Sequence, residues 1–413
     1  MSEKNYEHLM HYLEQLTVID AHEHLPVESD RLAREVDVLT LLHLYEYVDM
    51  TSAGYKPRPG ESVFAGNLCL DTSVPLEKRW QTFRPHLQQI KYGSYYRPLK
   101  IALSDLYGID DLNDKTYLEA TEKIRQNNTK GLYRRILRDT CNIRCCLVQN
   151  GRIQNQDPPE LLKPLFAEVN TYELNNASFI EHVQKAYQIS IKDLQSYLTC
   201  LDNHITTVQS QGALGFKIAA NETTLPSYEQ AEKQFKEFLN GRPTDVNLKS
   251  TVLDHILKKC GQEDFPVAVH CGVWWDYRTV DSKWMIDLVQ RHPTVRFDLY
   301  HLGMPAVRDT IFIAKNFPNA YLNLCWAYIV SEHITEQAIN EIIDLVPINK
   351  VFGFGADCAW AVESVYGHLQ MARQSLASAL SRRIDRGLID LDGAKYVLKC
   401  WLYDNPAKFY GVG

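Results

Sequence analysis

The sequence lacks the features that would carry a chain into or through a membrane. No run of about 18 apolar residues occurs in its 413 positions, the length a helix needs to cross a bilayer. The opening Met-Ser-Glu-Lys-Asn-Tyr has neither the basic nor the apolar block of a secretory signal, so a cytoplasmic location is expected. No long block of like charge stands out, and 51 acidic against 44 basic residues leave a net charge of −7. That balance offers no electrostatic footprint for a phosphate backbone, which argues against a nucleic-acid partner. No G-x-x-x-x-G-K-[ST] or G-x-G-x-x-G follows a strand-like run, and this disfavours a phosphate-cradling nucleotide enzyme. None of the 10 cysteines forms a C-x-x-C pair. Cys145, Cys146, Cys271 and Cys325 sit inside apolar strand-like runs, where reduced cysteine packs as a small hydrophobe.

What is present is an ordinary globular composition, 45% hydrophobic and 23% charged, and a repeating pattern. From about residue 139 onward, short runs of Val, Ile, Leu and Phe alternate with longer amphipathic stretches, the signature of βα units on a parallel sheet. Strands are expected at Ile143 to Val148, Pro164 to Val169, Ala213 to Ile218, Phe265 to His270, Val295 to His301, Ala320 to Cys325 and Lys350 to Phe354. An eighth is expected at Leu16 to Asp20, after a polar opening helix. The pattern therefore predicts an α/β chain whose eight parallel strands close into a (β/α)8 TIM barrel, with its chemistry at the C-terminal strand ends. Residues 28 to 138 exceed what one connecting helix requires and read as a long helical insertion after the first strand. Helices are expected there at Val38 to Val48, Leu76 to Lys91 and Lys115 to Asn127. Residues 1 to 413 are thus expected to form one barrel domain carrying a lid. Within the insertion, Lys91-Tyr-Gly-Ser-Tyr-Tyr-Arg97 is either a surface loop or the part that offers Tyr95, Tyr96 or Arg97 to a substrate.

Chemistry concentrates at strand ends. Asp20-Ala-His22-Glu-His24 closes the first strand, and because residues i and i+2 of an extended chain share a face, His22 and His24 project into one space. Two adjacent imidazoles make a half-site for a divalent metal, although an isolated H-x-H is as easily structural. Four further strands end on a ligating or titrating residue: Lys217, His270, His301 and Asp357. Each alone is explained by packing or solvation, but their joint occurrence at the catalytic end of a barrel points to a metal site. After His270 the loop carries Trp274, Trp275 and Arg278. A guanidinium fork suits carboxylate or phosphate and indole faces suit rings, so a small anionic substrate is expected; packing of the indoles and an ion pair at Arg278 is the simpler alternative.

The order H-x-H, Lys, His, His, Asp on successive strands resembles the amidohydrolase superfamily of metal-dependent barrels. Gly215-Phe-Lys217-Ile-Ala is similar to the carboxylated-lysine strand of its phosphotriesterase-like members, and Tyr403-Asp-Asn-Pro-Ala-Lys-Phe-Tyr-Gly411 resembles the usual ending of these proteins. The long insertion instead resembles the uronate isomerases, which typically lack the bridging lysine. The resemblance implies one or two divalent ions, with zinc the expected identity. In the binuclear arrangement His22, His24 and Asp357 hold one ion, His270 and His301 the other, and carboxylated Lys217 bridges them. In the mononuclear arrangement His22, His24, His270 and Asp357 hold one ion, His301 polarises the substrate and Lys217 is a plain cation. Asp357 shuttles the proton in either case. The implied activity is hydrolysis of an amide, lactone or ester in a small, anionic molecule by metal-activated water. Ketol isomerisation or decarboxylation on the same ligands is the alternative, and a catalytically silent barrel is a third reading. The expected partner is a small-molecule substrate, with no membrane, and a homo-oligomer is compatible with the sequence.

Overall fold

The computed structural model describes residues 3–63, 66–167, 173–174, 178–273 and 276–413. Among them β1 (Val18–Glu23), β2 (Ile143–Val148) and β3 (Leu162–Pro164) form one sheet. A second sheet runs β4 (Phe166–Ala167), β5 (Phe216–Ala219), β6 (Val267–His270), β7 (Phe297–Leu299), β8 (Ala320–Asn323) and β9 (Val351–Phe352) in chain order. Every pairing is parallel. Helices stand between most strands, so the fold is α/β, as the alternating pattern predicts. All eight expected strand regions contain a strand, although Glu168 and Val169 of the third lie outside the described residues.

The two ladders remain distinct where the sequence pattern predicts one closed cylinder, yet backbone bonds cross both of their junctions. Leu165 donates its N–H to Val148 O (2.8 Å) and Phe166 donates to Gly215 O (2.9 Å), so one strand passes from the first ladder to the second. Pro164 has no N–H to offer there, which leaves the ladder interrupted. At the other junction Ala21 donates to Phe354 O (3.0 Å), Asp357 to His22 O (3.0 Å) and His24 to Cys358 O (2.9 Å). Just before these, Gly353 turns its N–H away to Trp401 O (2.7 Å), which ends β9 after two residues.

The strands are buried on both faces, as parallel strands generally are. Phe216, Ile218, Val267, Val269, Phe297 and Leu299 pack with apolar residues of the helices Leu194–Ser210 and Val246–Gln262. A separate inner cluster joins Ile19, Ala21, Leu147, Leu165, Ala268, Tyr300 and Phe352 to Phe409 and Tyr410 of the final helix Asn405–Tyr410. All ten cysteines are free and buried. No helix among the described residues is long and apolar enough to cross a membrane.

Between β1 and β2 lie the helices Glu28–Ala33, Tyr45–Ser52, Leu76–Ile90, Tyr96–Tyr107 and Tyr117–Asn127. Leu76–Ile90 and Tyr117–Asn127 match the helices expected at Leu76 to Lys91 and Lys115 to Asn127, Tyr96–Tyr107 is a helix beyond those expected, and the run expected as Val38 to Val48 divides into a 3-10 turn, Val38–Leu42, and the helix Tyr45–Ser52. Asp37 causes the tight turn: its carboxylate accepts the N–H groups of Leu39 and Thr40, while the Thr40 hydroxyl accepts from Asp37 N–H. Arg79 fixes that cap with a buried bond to Asp37 (2.5 Å). This segment has its own apolar cluster, including Val36, Leu39, Trp80, Phe83 and Leu99, and it docks through the helix Val362–Asp385. The 91–97 stretch is mostly tied down. Tyr96 is buried, Tyr95 stacks on Tyr45 and Trp326, and Arg97 bonds Glu332 and Gln374.

Docking of the helix Tyr96–Tyr107 on the helix Val362–Asp385 depends on Gly367, where an added Cβ would lie 2.1 Å from the Pro98 carbonyl oxygen. Gly367→Ala gains helix propensity, but the forced separation should win and destabilise the protein by about 1–3 kcal/mol. Urea unfolding checks this, and an unchanged or higher midpoint would show that the contact yields without cost.

Candidate metal centre

The geometry starts at the end of β1. All six residues of β1 are buried, yet the chain emerges one residue later and leaves His24 partly open. His22 and His24 share a face as the i, i+2 spacing requires, with ring centroids 4.9 Å apart. Asp357 reaches the same point from the segment after β9. Its backbone N–H bonds His22 O, and its φ of 56° is an uncommon left-handed value for a residue with a Cβ. That turn directs the carboxylate inward: Oδ1 lies 3.3 Å from His22 Nε2 and 3.5 Å from His24 Nε2. One ligand atom from each of His22, His24 and Asp357 falls within 4.8 Å of the others.

The donor chemistry fits a cation. His24 Nδ1 sits 3.2 Å from Gln149 O, and because a carbonyl only accepts, Nδ1 carries the proton. Nε2 then presents a lone pair directly to the Asp357 carboxylate. Two acceptors 3.5 Å apart in a largely buried site repel unless a proton or a metal ion lies between them. Burial also keeps the imidazoles uncharged: it pushes His22 and His270 down to about 3, and it lowers His24 and His301 as well. Burial alone would raise Asp357, but positive charge among the rings beside it, at His22 first and then at His24 and His301, opposes this and holds its carboxyl well below the usual range whenever a proton or cation sits there. Neutral nitrogens around an ionised carboxylate are the state a divalent ion requires.

His270 and His301 form a second group. His301 Nδ1 is 3.1 Å from Cys325 O, which places its proton there and its lone pair on Nε2, facing His270 Nδ1 at 3.1 Å. His301 Nε2 also lies 3.9 Å from Asp357 Oδ2, linking the two groups. Lys217, on the neighbouring β5, is buried with its Nζ 3.7 Å from the centre of the Tyr300 ring, a cation–π contact. Its removal from water lowers its pKa to about 8. All six strand-end residues therefore meet at one end of the sheets.

Several residues of this site escape the sequence reading. Gln149 contacts His22 through Nε2 (3.3 Å) as well as His24 through its carbonyl; it directly follows β2, so the strand-end rule that selects the histidines would have found it. Tyr45 donates its hydroxyl to the Asp357 carbonyl (2.6 Å) and stacks at 4.8 Å on Trp326, which meets His301 edge-on at 5.0 Å. No local pattern links Tyr45 to Asp357 across 312 positions. Asp20 and Glu23 stand behind the histidines: Asp20 Oδ1 accepts from His22 and Ala356 N–H, and Glu23 accepts from Cys358 N–H (2.8 Å). Burial raises both carboxyls, Asp20 to about 7.

The substrate-contact candidates are separated from this cluster in exposure. Arg278 stands in an exposed 3-10 turn and spends its fork on Asp276, through two bonds of 2.7 Å. Trp274 and Trp275 lie outside the described residues. A cavity of about 620 Å³ runs beside Arg278, lined also by Asn221 from the loop after β5 and by Lys249, Asp276 and Trp284.

Residues 191–412, more than half of the chain, match the profile of the Amidohydrolase family. No curated protein sequence matches the chain. Among solved structures, uronate isomerase from Thermotoga maritima is similar at a TM-score of 0.82 and 15% identity, covering 99% of this chain and 98% of that one. Glucuronate isomerase from Caulobacter crescentus gives a TM-score of 0.78 at 17% identity over 99% and 94%. A protein from Lactobacillus casei described as a metal-dependent hydrolase gives 0.68 at 16% identity over 98% and 97%. At such identities the likeness speaks for the fold alone.

The buried imidazoles make stability depend on pH with a definite sign. An unfolded histidine takes up a proton below its ordinary 6.5, whereas folded His22 and His270 do so only near 3. Between those values the unfolded chain binds more protons, so the metal-free protein should lose stability as pH falls through that window. Urea unfolding at pH 7 and pH 5 should show the loss, and it should be smaller in His22→Gln; equal losses would remove burial of His22 as a cause.

Proposed function

The chain belongs to the amidohydrolase family, and from that premise we propose that it is a metal-dependent hydrolase of an amide, lactone or ester bond in a small, anionic molecule. The observation that carries this reading is the division of the donors into a trio, His22, His24 and Asp357, and a pair, His270 and His301, with the buried amine of Lys217 on the adjacent strand. In this reading the trio would hold one divalent ion and the pair a second, and Lys217, once carboxylated, would add a donor between them. Zinc suits the imidazole-rich donor set. Bound there, the cations supply Lewis acidity toward the scissile carbonyl and a lowered pKa for water. The rest of the reaction falls to the protein. The carboxyl of Asp357 lies well below the usual range and is therefore ionised, so its Oδ2 is free to accept a proton and return it to the leaving group. The Cys325 carbonyl fixes the His301 tautomer, and Gln149 orients both histidines of the first strand.

The architecture proposed for this activity is one domain: a closed eight-stranded barrel, β3 and β4 counting as one strand, covered by the insertion of residues 28 to 138. Its substrate contacts are Arg278, which must exchange Asp276 for a substrate anion, together with Trp274 and Trp275. A second reading, ketol isomerisation of a uronate, is favoured by the full-length fold likeness to uronate isomerases, which extends through the insertion.

Metal analysis and a substrate panel separate the two. Hydrolysis predicts close to two ions per chain when metal and bicarbonate are supplied, and turnover of at least one lactone, amide or carboxylate ester. Asp357→Asn should lower kcat by a factor of about 10²–10⁴. One ion per chain with aldose–ketose conversion of uronates and no hydrolysis would overturn the proposal in favour of the isomerase. Within the hydrolase, Arg278→Met should raise KM for an anionic substrate far more than for a neutral analogue, and equal changes would remove Arg278 from substrate binding.

A further inference from the structure

The opposite end of the first two strands carries a cavity unrelated to the metal centre. Its volume is about 670 Å³, and its walls include Tyr12 and Leu16 before β1, Arg138 and Arg144 around the start of β2, and Lys399 and Tyr403 near the C-terminus. Thr17, also in its lining, stands five residues before His22, so at about 3.3 Å per residue the two sites are some 16 Å apart along β1.

The charges of this cavity are unbalanced. Arg138 donates one N–H to Arg144 O (2.7 Å), which holds its guanidinium in place. Among the described residues neither Arg138 nor Arg144 has a carboxylate within ion-pair distance. The acids nearest in sequence are engaged elsewhere: Asp139 faces Arg134 at 4.0 Å, and Asp404 takes Lys399 with both oxygens at 2.6 Å. The ammonium keeps a third N–H, since two suffice for Asp404. Arg144 is moreover the one exposed residue of an otherwise buried strand, so its fork is displayed at the cavity edge.

We propose that this cavity binds a phosphate-bearing small organic molecule, its phosphate on Arg138, Arg144 and Lys399 and its organic part on Tyr12, Leu16 and Tyr403. Two guanidiniums match the oxygens of a dianion in paired contacts, which a single carboxylate would not saturate. The cavity is far larger than inorganic phosphate, and the remaining wall is aromatic and aliphatic, as a ring or chain requires.

The test uses the full chain after chelation, so that phosphate cannot bind through a metal, with inorganic phosphate and phenyl phosphate as probes in calorimetry. Both should bind saturably, phenyl phosphate at least threefold more tightly, and Arg138→Gln with Arg144→Gln should weaken both at least tenfold. Both substitutions replace partly or fully exposed side chains, and circular dichroism with an unchanged Tm confirms that the variant folds. Absence of saturable binding, or binding that the double substitution leaves intact, would overturn the site. Equal affinity for the two probes would overturn the organic part of the ligand. Because the probes are read without metal or turnover, the result stands apart from the outcome of the hydrolase experiment.

Discussion

The contact on which the site depends is the buried carboxylate of Asp357 among imidazoles that burial keeps neutral. Removing an anion from water is costly unless it is paired, and here the neighbours are His22 and His24 Nε2 at 3.3 and 3.5 Å, with His301 at 3.9 Å, so the carboxylate is paired only when a proton or a cation lies among them. Everything around it serves that placement. The left-handed turn at Asp357 is sustained by two bonds, its own backbone N–H to His22 O and the Tyr45 side-chain hydroxyl to its carbonyl. The first of these ties the last strand segment to the first strand, so His22 and Asp357 both assemble the cluster and join the two sheets, while the second ties Asp357 to the insertion.

The segment between β1 and β2 consequently does more than cover the strand ends. Its Tyr45 touches Asp357, and with Tyr95 it stacks on Trp326 beside His301. Its Pro98 packs against Gly367 of the helix that follows the Asp357 loop. The insertion is therefore coupled to the last strand segment from two sides. Within the inner cluster, the last helix, Asn405–Tyr410, does comparable work. Tyr410 donates to the buried Asp298 (2.7 Å), which also accepts from Asn323, and packs in the inner cluster with Tyr300, the ring beneath Lys217.

Much of this was legible in the chain. The β strands and most helices follow from local periodicity, which depends only on which face of an element is buried. His22 and His24 follow from the period of two in a strand, and Lys217, His270, His301 and Asp357 from the rule that apolar runs end at the functional face of a parallel sheet. The helix expected from Val38 to Val48 was not legible as two pieces, because its break is set by Asp37, whose position is held by Arg79, 42 residues away. Arg278 illustrates the converse: its proximity to His270 in sequence says nothing of Asp276, which holds its fork on the surface.

The sequence by itself determined the α/β alternation, the family, and the residue types at the strand ends, since each rests on short-range pattern and on chemistry that a side chain carries wherever it goes. Tertiary structure alone decided how those residues group: a trio on one side, a pair on the other, Lys217 lying on a tyrosine ring, and Gln149 and Tyr45 bracing the centre. Grouping depends on distances between segments hundreds of residues apart, and on the desolvation that only the assembled fold imposes. The lone pair of His24 facing Asp357 exists only once Gln149 O has claimed the other ring nitrogen. No reading of the first strand in isolation contains that bond.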